Sequence, residues 1–173
     1  NSWRILTGIL PAEVELGINF FGTQKSVNIL TPNSSLCKDG ENLNRLLNRT
    51  QMLVSNLDEH CDMMDSLNLA EISKIHKHGP KLVIVTDEER GGFFSLRGQT
   101  GRFHAKAFPG ESYPTGAGDW FLSGLVAWYR EMSITPENIS LEALNDAIEF
   151  ATTVAGKKVL MPGGTRGPLR SEI

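Results

Sequence analysis

The sequence predicts an α/β fold built on a mostly parallel sheet. Three observations carry this expectation. Short β-rich runs alternate with stretches of helical spacing along nearly the whole chain, the pattern of strands separated by crossover helices. The run Lys81-Leu82-Val83-Ile84-Val85-Thr86 is apolar almost without interruption, which suits a strand covered on both faces rather than one with a wet side. No internal repeat, low-complexity tract or long linker divides the 173 residues. The alternation is therefore assigned to one domain, 1–173, long enough to bury a proper core.

The elements follow in order. Trp3 to Ile9, centred on Ile5-Leu6, reads as a strand. Pro11 to Leu16 opens a helix, with proline at a tolerated first-turn position. Ser26 to Leu30 is a second strand, stopped by Thr31-Pro32-Asn33. Gly40 to Asn48 carries leucines at 43, 46 and 47, a helical spacing. Met52-Leu53-Val54 is a short strand. Asp58 to Met64 and Ala70 to Lys77 read as helices separated by a break at 66–68. After the Lys81 strand, Gly92 to Leu96 and Arg102 to Lys106 form an expected antiparallel pair joined by the polar turn Arg97 to Gly101. A glycine-rich turn then feeds a helix from Asp119 to Glu131. A last helix runs from about Leu141 to Lys158, before Pro162-Gly163-Gly164.

Composition narrows the function. The chain is 40% apolar and 21% charged, which excludes disordered and fibrous classes. No apolar run approaches the ~18 residues of a membrane span, and a net charge of −3 gives no reason to expect nucleic acid. Cys37 and Cys61 do not make a disulfide framework and are both expected to be small buried hydrophobes. The sequons at Asn33, Asn48 and Asn138 carry little weight without a signal peptide. A cytoplasmic setting is the default, with an organelle left open because targeting sequence could precede Asn1. The early start of the apolar run at Trp3, and an ending on Ser171-Glu172-Ile173 that reads as the first turn of a helix, suggest a piece of a longer polypeptide. His60, His76, His78 and His104 match no zinc spacing. No Ser/His/Asp arrangement, dinucleotide fingerprint or Walker P-loop is present.

The strongest chemical signal is Thr115-Gly116-Ala117-Gly118-Asp119, followed by the apolar Trp120-Phe121-Leu122-Ser123-Gly124-Leu125. Small residues at a loop-to-helix junction let backbone N–H groups approach a ligand closely. The first N–H groups of a helix lack partners, and the dipole favours negative charge there. The backbone of Gly116, Ala117 and Gly118 thus forms a candidate anion hole suited to phosphate. Asp119 follows as a candidate base for an attacking hydroxyl. A bare Gly-x-Gly-Asp is also a common capped turn, so its surroundings decide.

Those surroundings resemble the ribokinase (PfkB) family of small-molecule kinases. Thr115 to Asp119 with its apolar helix is similar to the family's second signature. Asn56-Leu57-Asp58-Glu59, after a short strand, looks like its Asn-x-x-Glu motif. Lys81 to Thr86 with Arg90-Gly91-Gly92 resembles the strand and turn beside the nucleotide. Ile148 to Val159 with Pro162-Gly163-Gly164 resembles the helix and turn closing the adenine side. Val27 to Asn33 resembles an earlier strand near the phosphate acceptor. The resemblance implies the C-terminal, ATP-binding portion of a three-layer ribokinase-like sandwich with its N-terminal part missing. It implies ATP and Mg²⁺, with a sugar, polyol or nucleoside as acceptor. It assigns Asp119 as base and Gly116 to Gly118 as anion hole. Thr86, Gly91, Thr115, Gly116, Gly118 and Thr152 become nucleotide contacts, and Asn56 and Glu59 hold magnesium through water.

Three departures keep a second reading open, that of a kinase-like assembly subunit without catalysis. Tyr113 stands where the family has an aspartate, which puts its monovalent-cation site in question. Glu88 stands where the family has a glycine close to nucleotide, adding negative charge. Thr152 replaces an asparagine. Lys157 and Lys158 are expected to be solvated near the helix end, where cations suit the dipole. A homo-oligomer, or a partner chain completing the fold, would cover the edge left by missing strands.

Overall fold

The computed structural model describes residues 2–22, 26–169 and 171. Glu172 and Ile173, part of the expected final helical turn, lie outside the described residues. The chain divides into two compact units, one formed by 1–86 with 93–102, the other by 87–92 with 103–173.

The first unit holds a six-stranded sheet in sequential order, β1 (Ser2–Thr7), β2 (Ser26–Thr31), β3 (Met52–Asn56), β4 (Leu82–Thr86), β5 (Gly92–Leu96) and β6 (Gln99–Phe103). The first four strands are parallel. Consecutive parallel pairs need crossovers. The first is a 3₁₀ turn at Pro11–Glu13 running into α1 (Val14–Phe21), the second is α2 (Ser34–Cys37) with α3 (Gly40–Leu47), and the third is α4 (Leu57–Ser66) with a 3₁₀ stretch at Ile72–His78. Ile29 and Leu30 are adjacent and both fully buried, as are Leu82, Val83, Ile84 and Val85. Strands wet on one face would alternate; these do not. Leu30, Leu53, Val83 and Val85 join Phe21, Leu36, Leu43, Leu46, Leu47 and Met63 of the helices in one apolar core.

Each helix start has a local cause. Asn33 accepts from Leu36 N–H to cap α2, and Asp39 accepts from Asn42 N–H to cap α3. α2 itself carries no periodic signal and went unread in the sequence. The segment expected as a helix over 70–77 is instead 3₁₀ over Ile72–His78. It ends at Gly79, whose φ of 133° and close approach to Leu47 O leave no room for a side chain. His76 ties this stretch down, with Nδ1 2.7 Å from Pro80 O and Nε2 2.8 Å from Ser95 Oγ.

The hairpin differs from expectation in the bounds of its second strand. Its second strand starts at Gln99 rather than Arg102, because Arg97 (φ 49°) and Gly98 (φ 95°) alone make the turn. Two consecutive left-handed residues are the geometry that matches the twist of flanking strands.

The second unit is built on α5 (Ala117–Met132) and α6 (Leu141–Val159). Gly124 allows the helices to approach closely: a Cβ there would lie 3.0 Å from Ala151 Cα. Phe121, Leu122, Leu125, Tyr129, Leu144, Ala147, Ile148, Ala151 and Val154 are buried. Phe103 stacks on Phe121 with ring centroids 5.7 Å apart. Ser140 caps α6 through Ala143 N–H at 3.1 Å.

Two expectations about side chains are corrected. Cys37 is buried, but Cys61 is exposed, because it lies on α4 away from the buried positions His60 and Met63. Lys157 is half-buried and Lys158 is wholly buried. The buried stripe of α6 passes through Ala147, Ala151 and Val154 at helical spacing and continues onto residue 158, so position outweighs the usual preference of a lysine for water.

Candidate active site

In the first unit, the candidate residues converge at the C-terminal ends of β3 and β4, where Asn56 and Thr86 are register partners. Thr86 Oγ1 donates to Ser55 O at 3.4 Å. Asn56 is the N-cap of α4. Its Oδ1 accepts from Glu59 N–H at 2.8 Å, and Glu59 Oε2 accepts from Asn56 N–H at 3.0 Å. The Asn-x-x-Glu spacing thus makes a reciprocal capping box. It places two oxygen-bearing side chains at a strand end, beside Asp58. Glu59 is half-buried, and burial pushes its carboxyl above the usual range; the charges of Asp58 and Asp62 push the same way, while the Asn56 N–H opposes them.

A carboxylate whose charge is opposed by burial and by like charges is relieved by a cation. The hard oxygen donors fit Mg²⁺ bound with retained waters. Among the described residues, no group of three or more His, Cys, Asp or Glu side chains is arranged to hold a metal.

In the second unit, Gly116 is the N-cap of α5, left-handed at φ 84°. Glycine is required there twice over: for the positive φ, and because a Cβ would sit 2.5 Å from Gly164 O. Pro114 O accepts from Ala117 N–H at 3.0 Å, so of the three donors expected from Gly116, Ala117 and Gly118 that of Ala117 is already engaged in the turn; Gly116 O accepts from Trp120 N–H at 3.1 Å. Among the described residues, the N–H groups of Gly116, Gly118 and Asp119 have no backbone acceptor. Gly118 is exposed and has open space where a side chain would be. The loop therefore presents free donors at the start of a 16-residue helix, where the dipole adds to them. Asp119 occupies the first turn with its side chain exposed, and its backbone carbonyl accepts from Ser123 Oγ at 2.8 Å.

The remaining candidates in this unit have structural neighbours. Thr115 is exposed beside Gly164. Gly91 is buried with φ 94°, and a Cβ there would meet Phe103 O at 2.2 Å. Thr152 is buried and donates to Glu149 O at 2.9 Å. Glu88 is exposed and adopts φ 48°, so the chain keeps a glycine-type backbone where the sequence has glutamate. Tyr113 N–H donates to Val159 O at 2.6 Å. A hydrogen bond with Glu111, aided by burial, pushes the Tyr113 hydroxyl up. An open groove of about 700 Å³ runs along α5 and α6, lined by Trp120, Ser123, Ala127, Arg130, Phe150 and Val154. No sequence signal marked it, since its lining comes from surface positions of two helices.

A parallel sheet with crossover helices, an Asn-x-x-Glu cap at a strand end and a Gly-Ala-Gly-Asp helix start define a protein of the ribokinase-like class. The pattern of the pfkB family of carbohydrate kinases matches residues 18–171, and the chain belongs to that family. Solved structures agree on the fold. They include a nucleoside kinase of Methanocaldococcus jannaschii, described as an archaeal member of the ribokinase family (TM-score 0.78, 19% identity, 97% of this chain and 53% of that one). A nucleoside kinase of Burkholderia thailandensis in complex with inosine gives 0.75 and 22%, covering 99% and 53%. A ribokinase of Giardia lamblia gives 0.76 and 18%, covering 99% and 58%. This chain therefore spans a little over half the length of these proteins. Among curated proteins, no significant sequence match is found.

Proposed function

We propose that the chain is the nucleotide-binding, catalytic portion of an ATP-dependent kinase that phosphorylates a hydroxyl of a small sugar, polyol or nucleoside. The observation that carries this reading is the start of α5. The chain belongs to the pfkB family of carbohydrate kinases, and the N–H groups of Gly116 and Gly118 stand without backbone acceptors at a helix terminus, which supports phosphate binding there.

Phosphoryl transfer asks little covalent work of a protein; it asks for positioning and for charge stabilisation. Gly116 and Gly118 donate to developing negative charge, while the Ala117 N–H, held by Pro114 O, fixes the shape of the loop. Asp119 accepts the proton of the acceptor hydroxyl. Asn56 and Glu59 would hold Mg²⁺ through waters, which would supply charge neutralisation at the phosphates. Thr86, Gly91, Thr115 and Thr152 border the nucleotide. An assembly subunit without catalysis is the competing reading, and Tyr113 and Glu88 motivate it.

Calorimetric titration of the chain with ATP, with and without Mg²⁺, separates the two. Saturable, metal-dependent binding supports the kinase reading; a folded chain that binds no nucleotide favours the assembly reading. Given binding, the Asp119→Asn variant of the full-length protein should keep its ATP affinity and lose at least ~10²-fold in turnover, the lower bound for a general base. ADP release in the presence of ribose, fructose or inosine reads this out, and near-normal turnover removes Asp119 from the role.

A further inference from the structure

Lys158 is among the largest wholly buried side chains of the protein. Its Nζ donates to Met161 O at 2.9 Å. Among the described residues that carbonyl is its sole hydrogen-bond partner, and no acidic side chain pairs with it. An ammonium has three donors, and a buried charge this poorly compensated is strongly unfavourable unless its surroundings supply negative potential. Here they do. Lys158 lies in the last turn of α6, where the carbonyls carry the negative end of the helix dipole.

The same helix end grips the loop that leads into α5. Val159 O accepts from Tyr113 N–H at 2.6 Å. The Leu160 side chain packs 2.9 Å from the Cβ position of Gly110. Gly164 O lies 2.5 Å from the Cβ position of Gly116. Residues 110–116 and 158–164 thus form one packed assembly around the N-cap of α5, and the ammonium is the only charge buried within it among the described residues.

We propose that Lys158 is a built-in cation and a positioning residue: its buried ammonium holds the turn Leu160–Gly164, which in turn fixes Gly116 and the donors of the anion-binding loop. An ammonium and a potassium ion are similar in size and are both satisfied by carbonyl oxygens. The tethered ammonium therefore makes a dissolved monovalent ion unnecessary at this helix end. The functional importance of the loop rests on the kinase reading; its attachment to Lys158 does not.

The test uses Lys158→Met and Lys158→Ala, with amide hydrogen exchange as the main readout so that it does not depend on catalysis. In the parent protein, exchange across 113–119 and 160–165 should change less than twofold when K⁺ is replaced by choline. Lys158→Met should speed exchange in both segments at least tenfold and leave 52–56 and 82–86 unchanged. Lys158→Ala should be loosened equally in choline but recover when NH₄⁺ or K⁺ is added, and its affinity for Mg²⁺-ATP should recover in parallel. Three results would overturn the proposal: unchanged protection in Lys158→Met, a Lys158→Ala defect that neither NH₄⁺ nor K⁺ repairs, or unfolding of both variants in every salt. If the parent binds no ATP at all, the kinase reading fails while the exchange data still decide the role of Lys158.

Discussion

His60 shows how a single side chain can set the acid limit of a fold. It is 7% exposed, its ring meets Phe93 edge-on at 5.4 Å, and its Nδ1 has no hydrogen-bond partner among the described residues. Burial pushes its pKa down to about 4 from an ordinary 6.5. As pH falls below 6.5, the unfolded chain takes up a proton that the folded chain refuses, so the contribution of His60 to stability declines until about pH 4 and is constant outside that window. By linkage the full loss is about 3 kcal/mol. His60→Leu should flatten this slope in denaturant titrations at pH 4.5 and 7; an unchanged slope would place the proton elsewhere. Glu88 is the second residue-scale case. A non-glycine residue at φ 48° carries a backbone cost of roughly 1–2 kcal/mol. Glu88→Gly should recover about 1 kcal/mol of stability and also tighten ATP binding by removing a negative charge. Gained stability without gained affinity would mean that the glutamate carboxylate does not act on the nucleotide.

At the scale of elements, the start of α4 serves a local structural role and a proposed chemical one, and the two are separable. Asn56→Asp preserves the cap, whereas Asn56→Ala should cost about 1 kcal/mol. Glu59→Gln also preserves the reciprocal cap but removes the charge. Because the Glu59 pKa is raised in the fold, its ionisation penalises the native state as pH rises past the ordinary carboxyl range. Glu59→Gln should therefore be more stable than the parent at pH 7 and equal to it at low pH, yet gain nothing from Mg²⁺. Melting curves with and without Mg²⁺ at both pH values check this, and a Mg²⁺ gain retained in Glu59→Gln would remove the residue from the metal site. A helix start here was readable in the sequence, since asparagine with glutamate three residues on is a capping pattern, although Asp58 could have served as the cap as well as Asn56. So was the Gly116 turn, because glycine spacing at a loop-to-helix junction encodes backbone geometry directly.

At the scale of the whole molecule, the parallel arrangement was legible because the doubly covered strands β2 to β4 carry runs of successive buried positions, most plainly in Leu82 to Val85, whereas β1 has no buried residue and gave no such signal. What escaped was set by packing across sequence distance. The end of the 3₁₀ stretch at Gly79 is fixed by the approach of Leu47 O, which leaves no room for a side chain there. The early start of β6 follows from a left-handed Arg97, which no propensity favours. The burial of Lys158 follows from the inward stripe of α6 and overrides its charge. Cys37 and Cys61 share a residue type and differ only in placement, and that difference makes the chain its own chemical clock. Cys61 is open to solvent, whereas Cys37 lies in the core with its pKa pushed up to about 12, first by burial and then by Glu59 and Asp62. An aromatic disulfide reagent should modify Cys61 at once. It should modify Cys37 at least roughly 10³-fold more slowly, as an opening free energy of about 4 kcal/mol or more requires. The lag between the two absorbance steps then times how often the helical layer around α2 parts from the sheet, and equal rates would show that this layer is open in solution.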